Sequence, residues 1–247
     1  MDRPSAKNRE IDLLDPDEVR RLMAACSRRA PTGIRNRALI ALLYGSGLRV
    51  GEAIALRPKD LDLDGLAVTV QAGKGDKRRV AALLPDAVDA IQRWGDRRAA
   101  AGVGARAPYF CTLAHAAAGP LPTEPGGALA REYVARVLKR LARRAGIDKR
   151  VHPHGLRHSH ADLLRRRGFD MQQIRKQLGH ASLEITGRYL DHLGSNDLSE
   201  RMRTIGAVLT PTPPEASLAK ELHALLERLP TTVVAQLISI VSRRMPG

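Results

Sequence analysis

The sequence contains one clear β-hairpin pattern, and helix signals precede and follow it. Residues Leu66–Val70 alternate as a strand does, Gly73–Lys77 form a glycine-rich connection, and Arg79–Leu83 form the returning strand. The short segment Tyr109–Cys111 is a candidate for one further strand. We therefore expect an α+β fold that is mostly α-helical with a small antiparallel β-sheet.

The rest of the chain is divided into helices by capping residues, glycines and prolines. Asp15 as N-cap, Pro16 at the first helical position and Glu18 at the capping-box position predict the first helix start. The predicted helices cover residues 15–29, 34–44, 50–56, 85–101, 129–145, 154–167, 170–178, 182–190 and 196–208.

Three regions follow from this pattern. Residues 1–10 are expected to be a flexible N-terminus, and residues 11–195 are expected to form a single folded domain. Residues 196–247 are expected to be a helical tail with a proline-rich linker near 210–214. Amphipathic segments at 217–229 and 232–244 close the chain.

The charge of the chain favours a polyanionic partner. The 247 residues carry 41 Lys and Arg against 26 Asp and Glu, a formal net charge of +15. Within Arg131–Lys176 there are 14 basic and only four acidic residues. Nucleic acid is the first candidate partner and an anionic membrane surface the second. A set of solvated helix faces would show the same charge pattern.

Several other protein classes do not fit. No apolar run approaches the about 18–20 residues that span a bilayer, and the N-terminus has no apolar signal core. Cys26 and Cys111 are far apart and form no CxxC motif, which excludes a disulfide scaffold. We therefore expect a cytoplasmic protein with no membrane partner.

Four short motifs, in a defined order, carry the chemistry. Gly47–Glu52 places Arg49 at a helix start, and Gly73–Lys77 places Lys74 in a hairpin turn. His152–His158 places His154, Arg157 and His158 at another helix start, and Leu178–His180 is followed nine residues later by Tyr189.

These residue types suit phosphoryl transfer by electrostatics alone. Guanidinium groups bind two phosphate oxygens at once, and surrounding cations stabilise the charge of a pentacoordinate phosphorus. A phenol is a competent nucleophile when its proton is removed and its anion is held by cations. The sequence contains no Walker A loop and no acidic cluster typical of a two-metal site. We therefore expect no metal or other cofactor.

The ordered set resembles the catalytic domain of the tyrosine recombinases, also called phage-type integrases. The family pattern is Arg, Lys, His-x-x-Arg, His, Tyr, and the resemblance covers about Ile11–Leu193. His180 follows Arg157 by 23 residues and Tyr189 follows by nine more, as in the family. The resemblance implies a tyrosine recombinase catalytic-domain-like fold.

The resemblance also implies a reaction on double-stranded DNA. Tyr189 would attack a backbone phosphate, form a 3′-phosphotyrosyl bond and release a 5′-hydroxyl, with no metal or ATP. A second 5′-hydroxyl would then reverse the step, so the protein would be a site-specific recombinase associated with the nucleoid.

The resemblance assigns a role to each remaining residue. Arg49 and Arg157 would hold the non-bridging oxygens, Lys74 would protonate the leaving oxygen, His154 would handle the tyrosine proton, and His180 would hydrogen-bond the phosphate. Glu52 and His158 are expected to support the site.

Other assignments stay open at this point. Lys77 competes with Lys74 for the role of general acid. The rival nucleophiles are Tyr44, Tyr109 and Tyr133, and a metal cluster could involve His152, His154, His158 and His160.

The chain also departs from the family pattern. Family members usually carry a helical DNA-binding domain before the catalytic one, and residues 1–14 are too short for it. The chain is therefore either a stand-alone catalytic domain or part of a longer protein, and we expect weaker, less site-specific DNA binding without that domain.

The tail suggests self-association. Family members often pass a C-terminal segment to a neighbouring subunit, so residues 196–247 could support a tetrameric assembly on DNA or pack on their own chain.

Two other functions stay open: a non-catalytic DNA-binding or regulatory relative, and a DNA-relaxing enzyme of the type IB topoisomerase kind.

Overall fold

The computed structural model describes residues 12–71, 78–113, 125–179, 195–206 and 208–209. The helices in these ranges are α1 (Pro16–Ala24), α2 (Pro31–Ser46), α3 (Val50–Ala55), α4 (Val88–Ala100), α5 (Arg131–Arg144), α6 (Pro153–Arg166), α7 (Met171–Leu178) and α8 (Ser195–Arg203). The strands are β1 (Leu61–Asp62), β2 (Ala67–Val70) and β3 (Arg79–Ala82). This confirms a mostly α-helical α+β fold with a small sheet.

The three strands form one antiparallel sheet in the order β1-β2-β3. Val68 in the central strand pairs with Leu61 on one side and with Ala81 on the other. At the end of the β2–β3 ladder Val70 pairs with Arg79, so the predicted hairpin is present. Its connection, residues 72–77, lies outside the described residues.

The third strand is not the one expected at Tyr109–Cys111. The Tyr109 amide donates to the Leu56 carbonyl at 2.6 Å, which ties this backbone to the end of α3 and away from the sheet. Cys111 forms only an isolated antiparallel bridge with Ala128. The residues after α3 supply the third strand, β1.

The first helix begins as predicted but ends earlier. Asp15 Oδ1 accepts from the Glu18 amide at 2.8 Å, and the Asp15 amide donates to Glu18 Oε2 at 2.9 Å, which completes the capping box. The helix stops at Ala24, and in the connection to α2 Ser27 Oγ accepts the Ala30 amide at 3.0 Å.

Helix α2 is the centre of the core. It packs against α1, α4 and α6, and most of its residues are buried on every side. Trp94, Tyr44 and Phe110 are the bulkiest fully buried side chains. Both cysteines, Cys26 and Cys111, are buried and free, so the core is held by packing without a disulfide.

The segment after the catalytic motifs joins this core. Helix α8 packs against β3, and Leu198, Met202, Ile205, Val208 and Leu209 are buried. The compact unit therefore extends to Leu209, whereas the sequence placed the tail from residue 196. The predicted helix 182–190 and residues 210–247 lie outside the described residues. In the described ranges no helix is long and apolar enough to cross a membrane.

Candidate active site

The structure describes part of the predicted site. The described members are Arg49, Glu52, His154, Arg157 and His158. The predicted general acid, phosphate donor and nucleophile lie outside the described residues; they are Lys74, His180 and Tyr189.

The turn between α2 and α3 presents the first arginine. Gly47 ends α2 with φ +66°, a left-handed conformation that glycine adopts without strain. A Cβ at this position would lie 2.5 Å from the His160 ring and 2.8 Å from Leu178, so the turn also needs the small residue. Two residues later, Arg49 caps α3 with extended backbone angles.

Arg49 is the exposed arginine of the site and is paired with a carboxylate. Its amide donates to Glu52 Oε2 at 2.8 Å, and its Nη1 donates to Glu52 Oε1 at 3.1 Å. The Arg49 side chain is 45% exposed, and the Glu52 side chain is 13% exposed. Glu52 therefore fixes the helix start and holds the guanidinium group at the protein surface.

Glu52 is held in turn by a second arginine, which the sequence did not single out. Arg79 Nη1 and Nη2 donate to the two carboxylate oxygens, each at 3.0 Å. Burial alone would raise the pKa of Glu52, but hydrogen bonds from Arg79 and Arg49 outweigh it and lower the pKa. Glu52 is therefore ionised at neutral pH.

Arg157 is the buried arginine of the site. It lies in the first half of α6, is 2% exposed, and donates from Nη1 to the Gly47 carbonyl and from Nη2 to the Leu178 carbonyl, both at 2.8 Å. Burial, together with the charges of Arg49 and Arg79, lowers its pKa to about 10. Arg157 stays charged at neutral pH.

Two arginines bind the same carbonyl at the end of α7. The Leu178 carbonyl accepts from Arg157 at 2.8 Å and from Arg79 Nη2 at 3.2 Å. Gly179 follows in the left-handed conformation and ends α7, and the next residue in sequence is His180. Three guanidinium groups and one carboxylate therefore share one hydrogen-bonded cluster with a net positive charge, which suits an anionic ligand.

The N-terminus of α6 carries the histidines. His152 caps this helix, and its Nδ1 accepts from the Gly155 amide at 3.1 Å. His154 is exposed and His158, one turn later, is half-buried. Their rings meet edge to face with centroids 4.3 Å apart, so His158 contacts the predicted proton acceptor directly.

The histidines do not form a metal site in the described part of the chain. In those ranges no group of three or more His, Cys, Asp or Glu side chains could hold a metal ion. His160 is fully buried, and burial lowers its pKa to about 4. It packs against Gly47 and away from the α6 N-terminus.

The rival tyrosines have structural roles. Burial raises the pKa of Tyr44, and burial raises the pKa of Tyr109 to about 12. The Tyr109 hydroxyl donates to the Ile91 carbonyl at 2.8 Å. Tyr133 hydrogen-bonds Arg35, whose guanidinium carbon lies 5.1 Å from the centroid of the phenol ring. Tyr189 lies outside the described residues and stays the predicted nucleophile.

Sequence reasoning missed two polar residues that support the site, the partly buried Arg79 and the buried Gln177. Arg79 was assigned only to a strand, although a charged residue opening an apolar strand beside the Lys74 connection was a usable signal. Gln177 is fully buried, and its side-chain Oε1 accepts from the backbone amide of Ala82 at 2.9 Å. Its Nε2 donates to the Ala82 and Ser46 carbonyls at 2.7 and 2.9 Å. It ties α7 to β3 and α2.

The basic residues between 131 and 176 lie largely on helix surfaces. On α5, apolar residues face the core, while the exposed basic side chains are Arg131, Arg136, Lys139, Arg140, Arg143 and Arg144. Exposure of this kind is what phosphate contact requires, and it also suits solvated helix faces.

Several known proteins are similar to this chain in sequence and in fold. Residues 12–195 match the phage integrase family. Tyrosine recombinase XerC of Xanthomonas campestris is 38% identical over 197 residues, which are 80% of this chain and 56% of that protein. Tyrosine recombinase XerD of Listeria monocytogenes is 33% identical over 182 residues, which are 72% of this chain and 57% of that protein. The chain thus spans little more than half the length of these relatives.

Two solved structures have the same fold. The XerA recombinase matches with a TM-score of 0.58 and 24% identity over 88% of this chain and 66% of that one. The XerH site-specific recombinase, in a post-cleavage complex with a palindromic difH substrate, matches with a TM-score of 0.57 and 26% identity over 81% of this chain and 51% of that one.

Proposed function

This chain belongs to the phage integrase family, and we propose that it cleaves and rejoins double-stranded DNA as a site-specific recombinase. The observation that carries the proposal is one hydrogen-bonded cluster that contains Arg49, Glu52 and Arg157. Arg79 connects its two halves, because it binds both Glu52 and the Leu178 carbonyl at the end of α7. The relatives are named tyrosine recombinases, and the XerH neighbour is a post-cleavage complex on DNA. These features support DNA as the substrate.

The two arginines divide the binding of the scissile phosphate. A guanidinium group has five N–H donors, and carbonyl oxygens take two of those of Arg157, so other donors stay available for a phosphate oxygen. Arg49 is exposed and donates to Glu52 through Nη1, so its other N–H groups can bind a second oxygen while the pair is kept. Together they stabilise the added charge of the pentacoordinate transition state.

The covalent step transfers the phosphoryl group from the DNA 5′-oxygen to the protein. Tyr189 attacks phosphorus, the new bond joins phosphorus to the phenol oxygen, and the bond to the 5′-oxygen breaks. His154, exposed at the start of α6 and in contact with His158, accepts the phenol proton. Lys74 gives a proton to the 5′-oxygen, and His180 donates a hydrogen bond to the phosphate. The phosphotyrosyl bond retains the energy for rejoining, so the reaction needs neither metal nor ATP.

Recombination requires more than one copy of the catalytic chain. We propose that the copies assemble as a tetramer on double-stranded DNA, with residues 196–247 contributing to their contacts, and that the protein is associated with the nucleoid. Since Leu198 to Leu209 are already packed in the compact unit, the residues after Leu209 are the part proposed to reach a neighbour.

Covalent trapping tests the proposed activity. The purified chain is incubated with nicked synthetic duplexes of varied sequence, in which the short released strand cannot religate, and denaturing electrophoresis separates protein–DNA adducts. We expect an adduct with the natural chain and none with Tyr189→Phe. If the natural chain forms no adduct and Tyr189→Phe behaves identically, strand cleavage by Tyr189 is wrong and a non-catalytic DNA-binding role is favoured. Relaxation of a supercoiled plasmid with no recombination site would instead favour topoisomerase-like activity.

A further inference from the structure

Arg79, the first residue of β3, makes more contacts in the site than any predicted role explains. Its side chain is 16% exposed, and it holds both oxygens of Glu52 at 3.0 Å. Its Nη2 also donates to the Leu178 carbonyl at 3.2 Å. A Cβ on Gly179 would collide with the Arg79 guanidinium group, so Arg79 lies directly against the end of α7.

These contacts belong to separate parts of the candidate site. Glu52 also binds the amide and the guanidinium group of Arg49. The Leu178 carbonyl also binds Arg157. Arg79 itself opens the strand that follows the predicted Lys74 connection in sequence. One side chain therefore bridges the helix that carries Arg49 and the helix end that precedes His180.

We propose that Arg79 is a positioning residue, which orients Glu52, and through it Arg49, relative to the C-terminal end of α7. The geometry needs a guanidinium group, because a planar fork spans both carboxylate oxygens while one of its nitrogens also reaches a carbonyl. A lysine ammonium would supply charge at one point only. The consequence for catalysis rests on the proposed strand-cleavage function.

Burial argues against a purely surface role for this ion pair. Arg79 Nε is buried without a hydrogen-bond partner among the described residues. An unpaired buried donor is unfavourable, so the position is maintained by the two Nη contacts and not by optimal pairing of the whole group. Burial also protects the Glu52 pair from the solvent screening that weakens exposed pairs.

The catalytic test separates positioning from folding and from DNA binding. Arg79→Gln and Arg79→Lys are compared with the natural chain and with Arg93→Gln, which removes an exposed arginine that pairs with Asp89 on α4. At saturating nicked duplex we expect Arg79→Gln to lower the first-order rate of adduct formation by about 10²-fold, as small misplacements of reacting groups do. The DNA concentration at half-saturation should stay within about twofold, and Arg93→Gln should match the natural chain.

Two further measurements identify the route of the effect. If Arg79 acts through Glu52, the rate losses of Arg79→Gln and Glu52→Gln are not additive, and the double variant is no slower than the slower single one. Arg79→Lys should recover only part of the rate. Additive losses, or a loss of DNA affinity that accounts for the whole effect, would overturn the proposal.

A third measurement does not depend on catalysis. In the DNA-free protein, the Gly179 amide donates to the Arg175 carbonyl at 2.8 Å. We expect Arg79→Gln, or Arg79→Lys if the first variant does not fold, to speed exchange of this amide hydrogen by about tenfold, with the amides of α4 unchanged. Unchanged exchange overturns the positioning role. If the Arg79 variant exchanges faster but the natural chain forms no DNA adduct, the positioning contact of Arg79 is supported and only the proposed strand-cleavage function is wrong.

Discussion

The two arginines proposed to hold the scissile phosphate occupy opposite environments. Arg49 is 45% exposed, lies at the start of a short helix, and is paired with a carboxylate. Arg157 is 2% exposed, lies within a 14-residue helix, and binds two backbone carbonyls. One guanidinium group is paired directly with an ionised carboxylate, and the other is hydrogen-bonded to neutral carbonyl groups.

This difference separates stability from function in the two residues. The Arg49 pair is half-exposed, so solvent weakens its contribution to folding, and the guanidinium group can present its other N–H groups to a phosphate. Arg157 joins the α2–α3 turn to the end of α7, so its removal affects the fold as well as the site. The proposed catalytic role is shared, but only Arg157 also joins distant elements of the fold.

Arg157→Ala should have the largest effect. It removes the side-chain donor of the Gly47 carbonyl and leaves the Leu178 carbonyl with only the longer contact from Arg79, so we expect a loss of unfolding free energy on the order of 3 kcal/mol. Adduct formation should fall by at least about 10²–10³-fold. Urea denaturation and covalent trapping measure the two effects, with Arg157→Lys as the charge-retaining comparison. Unchanged stability would contradict the structural half of the contrast.

Arg49→Ala should reduce catalysis with little effect on stability. We expect about 10²–10³-fold slower adduct formation, because one donor to the transition state is lost. The unfolding free energy should change by less than about 1 kcal/mol, since the pair is partly exposed. Arg93→Ala, which breaks another exposed pair, is the matched control and should leave adduct formation unchanged. A stability loss as large as that of Arg157→Ala would remove the contrast.

His160, which is buried on the same helix as Arg157, predicts that the stability of the protein depends on pH. Burial, together with the charge of Arg157, lowers the pKa of His160 from 6.5 to about 4. Between these values the unfolded chain binds a proton that the native chain does not. The unfolding free energy should therefore fall, by on the order of 3 kcal/mol, as pH drops from 6.5 to 4. Denaturation across this range should show a shallower loss for His160→Gln, and an equal slope would contradict the assignment.

The smallest effect is expected at the end of α7. Gly179→Ala puts a side chain at φ +67° and against Arg79, so we expect a loss of about 1–2 kcal/mol from backbone strain and a further loss from displacing that arginine. Gly168→Ala is the matched control, because φ is +77° there and no atom lies within 4 Å of the added Cβ. Equal losses in thermal or urea denaturation would mean that the Arg79 contact contributes nothing.

Much of the fold was accessible from local patterns. The capping box at Asp15 and the hairpin around β2 and β3 depend on neighbouring residues, so the sequence predicted them. The expected strand at Tyr109–Cys111 was wrong, because a hydrogen bond to Leu56 decides where that backbone pairs. The pairing partner is 53 residues away in sequence, beyond the reach of any local pattern.

The candidate site divides in the same way. Ordered motifs identified Arg49 and Arg157, and the structure places both in one cluster. They did not identify Arg79 or Gln177, because neither belongs to a spaced chemical motif and both act through hydrogen bonds to residues far away in sequence. For Lys74, His180 and Tyr189 the sequence prediction stays a prediction that the trapping experiment tests.

The sequence by itself determined which chemical groups the chain has, their order, and the helices and strands that carry them. These properties depend on residue type and on spacings of a few residues. Only the tertiary structure decided which arginine is exposed and which is buried, and which carboxylate and carbonyls hold them. The physical reason is distance along the chain: Arg157 meets Gly47 across 110 residues and Arg79 meets Leu178 across 99, and only packing of the helices around the sheet closes those separations.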